Sequence, residues 1–270
     1  MKLCEPRIFR LASTCIDPCG ERDYLTFLGV PEWKTDAPSD GEELIEISGR
    51  RCYRSWETES SPVKVQNPNL ERVRSGNKDY LSNILRSGHG SVLEHSYVTY
   101  AIEGVSRVFT HEMVRHRLCN FSQESLRFVR PTSLHAYIPR AFLEIPDREK
   151  RSHVISLFKR TVTHLEEVQK ELTLLLGMDE IRRAFSEKKK LQSAMRRLLP
   201  MGMATGIIVT ANHRNWRHMI QLRTSPAAEE EIRYVFLLIA EDLKAKHPNL
   251  YQDLVIDYSS GECTFEHGRI

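Results

Sequence analysis

Apolar residues recur at three- and four-residue steps through 148–176 (Val154, Leu157, Phe158, Val162, Leu165, Val168, Leu172, Leu175), which predicts one long amphipathic helix. The same period predicts helices from Glu42 to about Arg54 and over 77–87, where Tyr80, Leu81, Ile84 and Leu85 share a face. Ser106 is placed to cap a helix that holds Val108, Phe109, Met113 and Val114 and ends at Arg117. Further helices are expected over Arg182–Leu198, closed by Pro200, over Asn212–Leu222, and from Pro226 through Leu243. Aromatic and β-branched runs predict strands over 7–14, Tyr97–Ile102 and Ile207–Thr210, and an extended segment runs through Tyr137 and Pro139. Residues 15–41 are punctuated by Pro18, Gly20, Gly29, Pro31, Pro38 and Gly41 and read as a loop-rich insertion. Another loop passes Pro62 and Pro68, and Gly88-His89-Gly90-Ser91 reads as a turn. Long helices beside few strands, without βαβ alternation, predict an α+β fold. The expectation is a single domain over 1–270 with its long helices packed on a small mixed or antiparallel sheet.

Composition changes this picture little. A chain of 270 residues, 40% hydrophobic and 28% charged, is ordinary globular material with no disorder signature. A formal charge of only +3 excludes a polycation, so any anion binding must be local. No apolar run approaches a membrane span, and the first residues lack a signal-peptide core. Six scattered cysteines (Cys4, Cys15, Cys19, Cys52, Cys119, Cys263) read as reduced thiols, so a cytoplasmic location is expected.

The candidate chemistry is concentrated in Arg115-His116-Arg117-Leu118-Cys119-Asn120-Phe121-Ser122-Gln123-Glu124-Ser125-Leu126-Arg127. This stretch uses arginine and short polar groups where a solvated face would intersperse Lys and Glu. The planar donor fork of arginine suits phosphate or a flat heterocycle. Gln123, Ser125 and Arg127 alternate, so an extended loop would turn them to one face. Arg196 and Arg197 precede Leu199-Pro200, and Asn212, Arg214, His218 and Arg223 share a short helix. Taken alone, several of these have plainer explanations: Arg196 and Arg197 as complements to a helix dipole, His218 as a satisfied histidine, Ser91 as a turn residue, Cys119 as a small hydrophobe. Only 115–127 resists such an explanation. There is no GxGxxG after a strand, no P-loop and no GxSxG elbow. His111 and His116 are five apart on one helix and share no ligand face, so no metal site is expected.

Arg115-His116-Arg117, then seven residues, then Ser125 resembles the RHR-x7-S signature of the flavin-dependent thymidylate synthases. His89-Gly90-Ser91-Val92-Leu93-Glu94-His95 is similar to that family's His-x-[ST]-x-x-Glu-His segment, Arg196-x-x-Leu199-Pro200 to its R-x-x-L-P element, and Asn212-x-Arg214 through Leu222-Arg223 to its C-terminal N-x-R…L-R helix. The four elements occur in order across 89–233. The resemblance implies a homotetrameric α+β enzyme whose active sites are shared between subunits. It implies conversion of dUMP to dTMP, with methylenetetrahydrofolate as carbon donor and NADPH reducing a bound FAD. By position it implies FAD contacts from Ser91, Arg115, His116, Arg117, Gln123, Asn212, Arg214 and His218, with His89 near flavin and folate. It implies dUMP contacts from Glu112, Arg115, Gln123, Glu124, Ser125, Leu126, Arg127, Arg196 and Arg223, with Arg223 as the catalytic group favouring ionisation at uracil N3. No cysteine nucleophile is required.

The chain departs from the family pattern at several positions. Ser122-Gln123 stands where many members have Asn-Glu, Phe128 where Tyr often follows, Glu112 where some have Gln, and His218 where some have Asn. The alternative is a nucleic-acid-binding protein using Arg115–Arg130 and the basic helix 182–197 on phosphates, against which the modest net charge counts. An inactive nucleotide-sensing relative is a third reading. Residues 15–41 and 259–270 receive no role.

Overall fold

The computed structural model describes residues 2–58, 66–70, 73–131, 133–180 and 184–268. Its strands are β1 (Lys2–Cys4), β2 (Arg7–Ser13), β3 (Tyr97–Ser106), β4 (Asn120–Gln123), β5 (His135–Tyr137), β6 (Ala204–Asn212), β7 (Leu254–Asp257) and β8 (Glu262–Phe265). Its helices are α1 (Pro18–Phe27), α2 (Asp40–Tyr53), α3 (Asn77–Arg86), α4 (Arg107–Met113), α5 (Arg140–Leu143), α6 (Arg148–Leu175), α7 (Phe185–Met195), α8 (His213–Arg223) and α9 (Glu230–Lys246). Strands β2, β3, β6 and β4 form one sheet in that order, β1 pairs with β5 in parallel, and β7 pairs antiparallel with β8. The mixed helix-and-sheet class expected from the sequence is what the chain adopts.

The chain divides into two compact units. The first holds residues 1–9, 101–209 and 229–235. Its core gathers Leu126, Leu134, Ala136, Val162 and Met203, with Phe158, Leu165 and Leu199 packed against them. Helix α6 starts where Asp147 accepts from the amides of Glu149 and Lys150, both at 2.9 Å. Of its 28 residues only Val162 and Gln169 are buried, while Leu157, Leu174 and Leu175 stay exposed.

The second unit holds residues 10–100, 210–228 and 236–270. Ser39 caps α2 through the amide of Glu42, and the buried Glu42 carboxylate accepts from the amides of Asn249 and Leu250 at 2.8 Å each. Trp216 on α8 is fully buried, donates to the Val98 carbonyl at 3.2 Å and meets the Tyr100 ring edge-on at 5.3 Å. Arg217, one residue on, makes a two-pronged ion pair with Asp253 (2.8 Å for each prong) and donates to the Leu250 carbonyl.

A buried imidazole pair in this unit makes stability depend on pH. His213 and His247 lie with ring centroids 4.5 Å apart, bonded to the Tyr251 hydroxyl and the Ser39 hydroxyl respectively. Burial, then the charge of Arg10, holds His247 down at about 4; burial, then His247 and Arg217, pushes His213 well below its usual range. Both folded values lie below the ordinary 6.5, so on acidification the unfolded chain takes up protons first. The stabilisation is complete above pH 6.5 and is lost as pH falls toward 4. For His247 this is on the order of 3 kcal/mol. Unfolding midpoints measured across that range should fall with acid, and the curve should flatten in His247→Asn.

Several expectations from the sequence are corrected. Residues 18–27, expected to be loop, form α1, because Asp17 caps through the Cys19 amide and Pro18 sits at the first turn. The helix expected to end at Arg117 ends at Met113; Val114 already caps it, so Arg115, His116 and Arg117 stand on the turns that follow. The polar loop 118–127 contains a strand, β4, at one edge of the sheet. The helix expected over Asn212–Leu222 begins one residue later, with Asn212 as its cap. The hairpin β7–β8 was not anticipated. The expected helix start at Arg182, Pro62 of the expected loop, and the last two residues of the tail lie outside the described residues.

Candidate active site

In the first unit, Glu112 lies on α4 and Gln123 on β4, while Arg115–Arg117 and Glu124–Arg127 lie on the segments that follow each element. Ser106 caps α4 by accepting from the Phe109 amide at 3.2 Å, and the half-buried Glu112 lies on the helix's last turn. Arg115 and Arg117 are exposed just beyond it, and His116 is half-buried. At the end of β4 the Gln123 amide nitrogen is buried with no partner among the described residues. The extended register stops at Ser125, whose carbonyl accepts from the amides of Phe128 and Val129 at 3.0 and 2.9 Å. The expected alternation therefore fails: Gln123 and Ser125 are half-buried, Leu126 drops into the core, and Arg127 is exposed on the turn. Glu124 is exposed and its amide donates to the Gly206 carbonyl at 3.3 Å.

Arg196 begins a 3-10 turn, Arg196–Leu198, at the end of α7 and is exposed. Both ends of the same helix bear on the Ser125 turn. Gln192 donates to the Leu126 carbonyl at 3.3 Å, and Phe185 stacks on Phe128 with centroids 6.3 Å apart. Arg107 was missed in the sequence. It is half-buried, with one guanidinium nitrogen unpartnered among the described residues; burial lowers its pKa, the Glu124 charge opposes that, and the Arg196 charge adds to it. The charges of Glu124 and Arg196 thus both reach Arg107. The only sequence signal for Arg107 is its place directly after a capping serine.

In the second unit, α8 buries His213, Trp216, Arg217, Met219 and Ile220, which leaves Arg214 and His218, four residues apart, on its open side. Arg214 pairs with Glu94 at 2.5 Å. Asn212 caps the helix through the Asn215 amide at 2.9 Å, so that side-chain oxygen already has a structural task. Arg223 is the last helical residue and is half-buried. His89 and Ser91 flank the start of a 3-10 turn, Gly90–His95, and Ser91 is exposed. The His89 ring stacks on Tyr53 at 5.4 Å, with the tyrosine hydroxyl within hydrogen-bond distance of its Nδ1 at 3.1 Å. Tyr53 was also missed, since nothing in the local sequence links it to His89. Beside this pair lies a cavity of about 150 Å³, lined also by Arg74, Tyr80 and Asn83.

Cys119 is half-buried, and burial pushes its thiol up to about 11, which leaves almost no thiolate near neutrality. Cys119→Ala should keep activity within about twofold, measured as steady-state turnover; complete loss would make this thiol a nucleophile. Among the described residues no group of three or more His, Cys, Asp or Glu could hold a metal ion.

These observations define a mixed helix-and-sheet protein whose two units each carry arginine and histidine side chains of a kind suited to phosphates and flat heterocycles. The family described as Thymidylate synthase complementing protein matches residues 35–249. A flavin-dependent thymidylate synthase of Mycobacteroides abscessus is 34% identical over 234 residues, covering 85% of this chain and 86% of its own. That of Corynebacterium diphtheriae is 36% identical over 233 residues, covering 85% of each. Among solved structures, the UMP/dUMP methylase PolB of Streptomyces cacaoi, bound with 5-Br dUMP, superposes with a TM-score of 0.61 at 16% identity, over 93% of this chain and 96% of that one. That last likeness is one of fold. The chain belongs to the flavin-dependent thymidylate synthase family, and the matched region includes parts of both units.

Proposed function

We propose that this protein converts dUMP to dTMP, taking the carbon from methylenetetrahydrofolate and reducing equivalents from NADPH through bound FAD. The observation that carries this reading is the Arg115-His116-Arg117 turn standing clear of α4, followed by the Gln123–Arg127 segment, in a chain of this family. The donor set fits a flavin dinucleotide. In the first unit exposed Arg115 and Arg117 offer forks to a pyrophosphate, and the Gln123 amide nitrogen has no partner among the described residues; in the second unit α8 offers Arg214 and His218. Ser91, His116 and Asn212 complete the FAD contacts, with His89 beside flavin and folate. Bound there, FAD supplies the redox chemistry and the protein supplies orientation and electrostatics.

Substrate dUMP is held by Glu112, Arg115, the Gln123-Glu124-Ser125-Leu126-Arg127 segment, Arg196 and Arg223. Arg127 and Arg196 take the phosphate, with Ser125 adding a neutral donor. The buried Leu126 contributes backbone only. Uracil C5 is a weak carbon nucleophile, and negative charge at N3 and O4 raises its electron density. Arg223 favours that ionisation because its positive charge is fixed and does not leave as a proton.

A homotetramer with shared sites belongs to the same reading; it is supported by the long open surface of α6, with Leu157, Leu174 and Leu175 exposed. So does a cytoplasmic location, in keeping with described helices none of which is long and apolar enough to cross a membrane. A single synthase domain over residues 1–270 belongs to the same reading. The test is a binding measurement: purified protein should be yellow, or should take up FAD stoichiometrically. A colourless protein that ignores FAD and retards DNA would favour the nucleic-acid reading instead.

A further inference from the structure

We propose that Glu231 is a positioning residue for the substrate pocket, holding Ser106 so that α4 presents Glu112 and the Arg115–Arg117 turn correctly. The inference rests on the dUMP reading above and assigns a task to a residue outside the family motifs.

Glu231 lies on the first turn of α9 and is 1% exposed. Its carboxylate accepts from the Ser106 amide at 2.6 Å and, in a very short contact, from the Ser106 hydroxyl. With its proton committed to Glu231, the Ser106 hydroxyl keeps a lone pair for the Phe109 amide, the capping bond of α4. Helix α4 has only seven residues, too few to hold a direction without anchors. Its first residue is fixed as well, since the Arg107 amide donates to the carbonyls of Met201 and Met203 at 3.0 and 3.2 Å. The chain of contacts therefore runs from a buried carboxylate to a cap, to a short helix, to Glu112 and the arginines beyond it.

A carboxylate buried this far is costly unless its acceptors are used. Burial raises the Glu231 pKa to about 7; the two Ser106 bonds lower it, and Glu229 and Glu230 at its own helix start raise it. The Tyr137 hydroxyl on β5 also feels this charge. Protonation turns one carboxyl oxygen into a donor and removes the charge that strengthens the two Ser106 bonds, so the anchor weakens as pH falls through about 7. Stability has the opposite sign. A folded pKa raised above the ordinary 4.5 means that ionisation costs the fold free energy as pH rises from 4.5 to about 7. Glu231→Gln should therefore not lower the unfolding midpoint near pH ~8 while it loosens the anchor, a split that a plain stability role would not give.

The experiment uses Glu231→Gln, Ser106→Ala and the double variant of the full-length protein. At pH ~8 each single variant should raise the KM for dUMP by about fivefold or more, the effect of losing one hydrogen bond, with kcat changed less. The double variant should be no worse than the worse single, because both act through one contact. The wild-type KM should climb as pH falls below about 7, and the Glu231→Gln curve should be flat there. Amide exchange over 107–113 should speed by a similar factor in Glu231→Gln, a readout that needs no substrate. Wild-type KM, pH curve and exchange in Glu231→Gln would overturn the proposal. Should Glu231→Gln fail to fold, Ser106→Ala decides by the same readouts. Should wild-type protein make no dTMP, the functional reading fails and the exchange result alone upholds or overturns the anchor.

Discussion

Arg223→Ala is expected to keep FAD and to lose dTMP formation by about a hundredfold to a thousandfold, the effect of removing one preorganised donor from developing negative charge. The backbone that carries Arg223 should survive the change. Thr224, which caps α8, is buried; its hydroxyl donates to the Ile220 carbonyl at 2.8 Å and receives the Cys263 amide at 2.9 Å. The helix end is thereby tied to β8, and only the side chain is removed. Arg223→Lys should fall between wild type and alanine, since it restores charge without the planar fork. Single-turnover rates of dTMP formation in FAD-loaded protein check both. Synthesis within a few fold of wild type in Arg223→Ala would remove Arg223 from its catalytic role.

The largest stability effect is expected from Asp253→Ala. Arg217 and Asp253 are each 4% exposed and joined by two prongs of 2.8 Å. Removing the carboxylate leaves a guanidinium buried with the Leu250 carbonyl and the faces of Tyr251 and Phe265 as its neighbours. Breaking such a pair from one side costs about 3–5 kcal/mol. For a chain of this length that lowers the unfolding midpoint by roughly 10 °C. Because Arg217 shares α8 with Arg214, His218 and Arg223, activity should be lost at a correspondingly lower temperature. Replacing both partners with apolar residues of similar size should recover much of the loss, since the penalty comes from the unpaired charge. Thermal unfolding of the three proteins separates these outcomes; a midpoint within two or three degrees of wild type for Asp253→Ala would show the pair to be dispensable.

The sequence made the long helix α6 legible because its apolar steps persist over 28 residues, far beyond what chance alternation sustains. It made α4 legible at its start, where Ser106 is a capping residue, and not at its end, where no Gly or Pro marks Val114 as the stop. Helix α1 was hidden by its glycine and prolines, although Asp17-Pro18 is itself a helix-opening pair. Strands β4, β7 and β8 have four residues each, too few for a period, and β4 is polar because it is a sheet edge. The turn between β7 and β8 depends on Asp257 accepting from Ser259 and Ser260, which composition alone does not reveal. In the candidate site, the motif residues stood out in the sequence because an arginine cluster with a single acid, Glu124, has few structural explanations. Tyr53, Arg107 and Glu231 could not, because each matters through a neighbour remote in sequence or through burial. Glu231 looks like any acid on the first turn of a helix until its distance to Ser106, 125 residues away, is known.

The most direct test is to incubate the purified protein with FAD, NADPH and methylenetetrahydrofolate, with and without dUMP, and to follow NADPH oxidation and dTMP together. The expected result is dTMP formed in step with NADPH oxidation that quickens when dUMP is added. A protein that binds FAD yet forms no dTMP, and whose NADPH oxidation ignores dUMP, would contradict the proposed reaction.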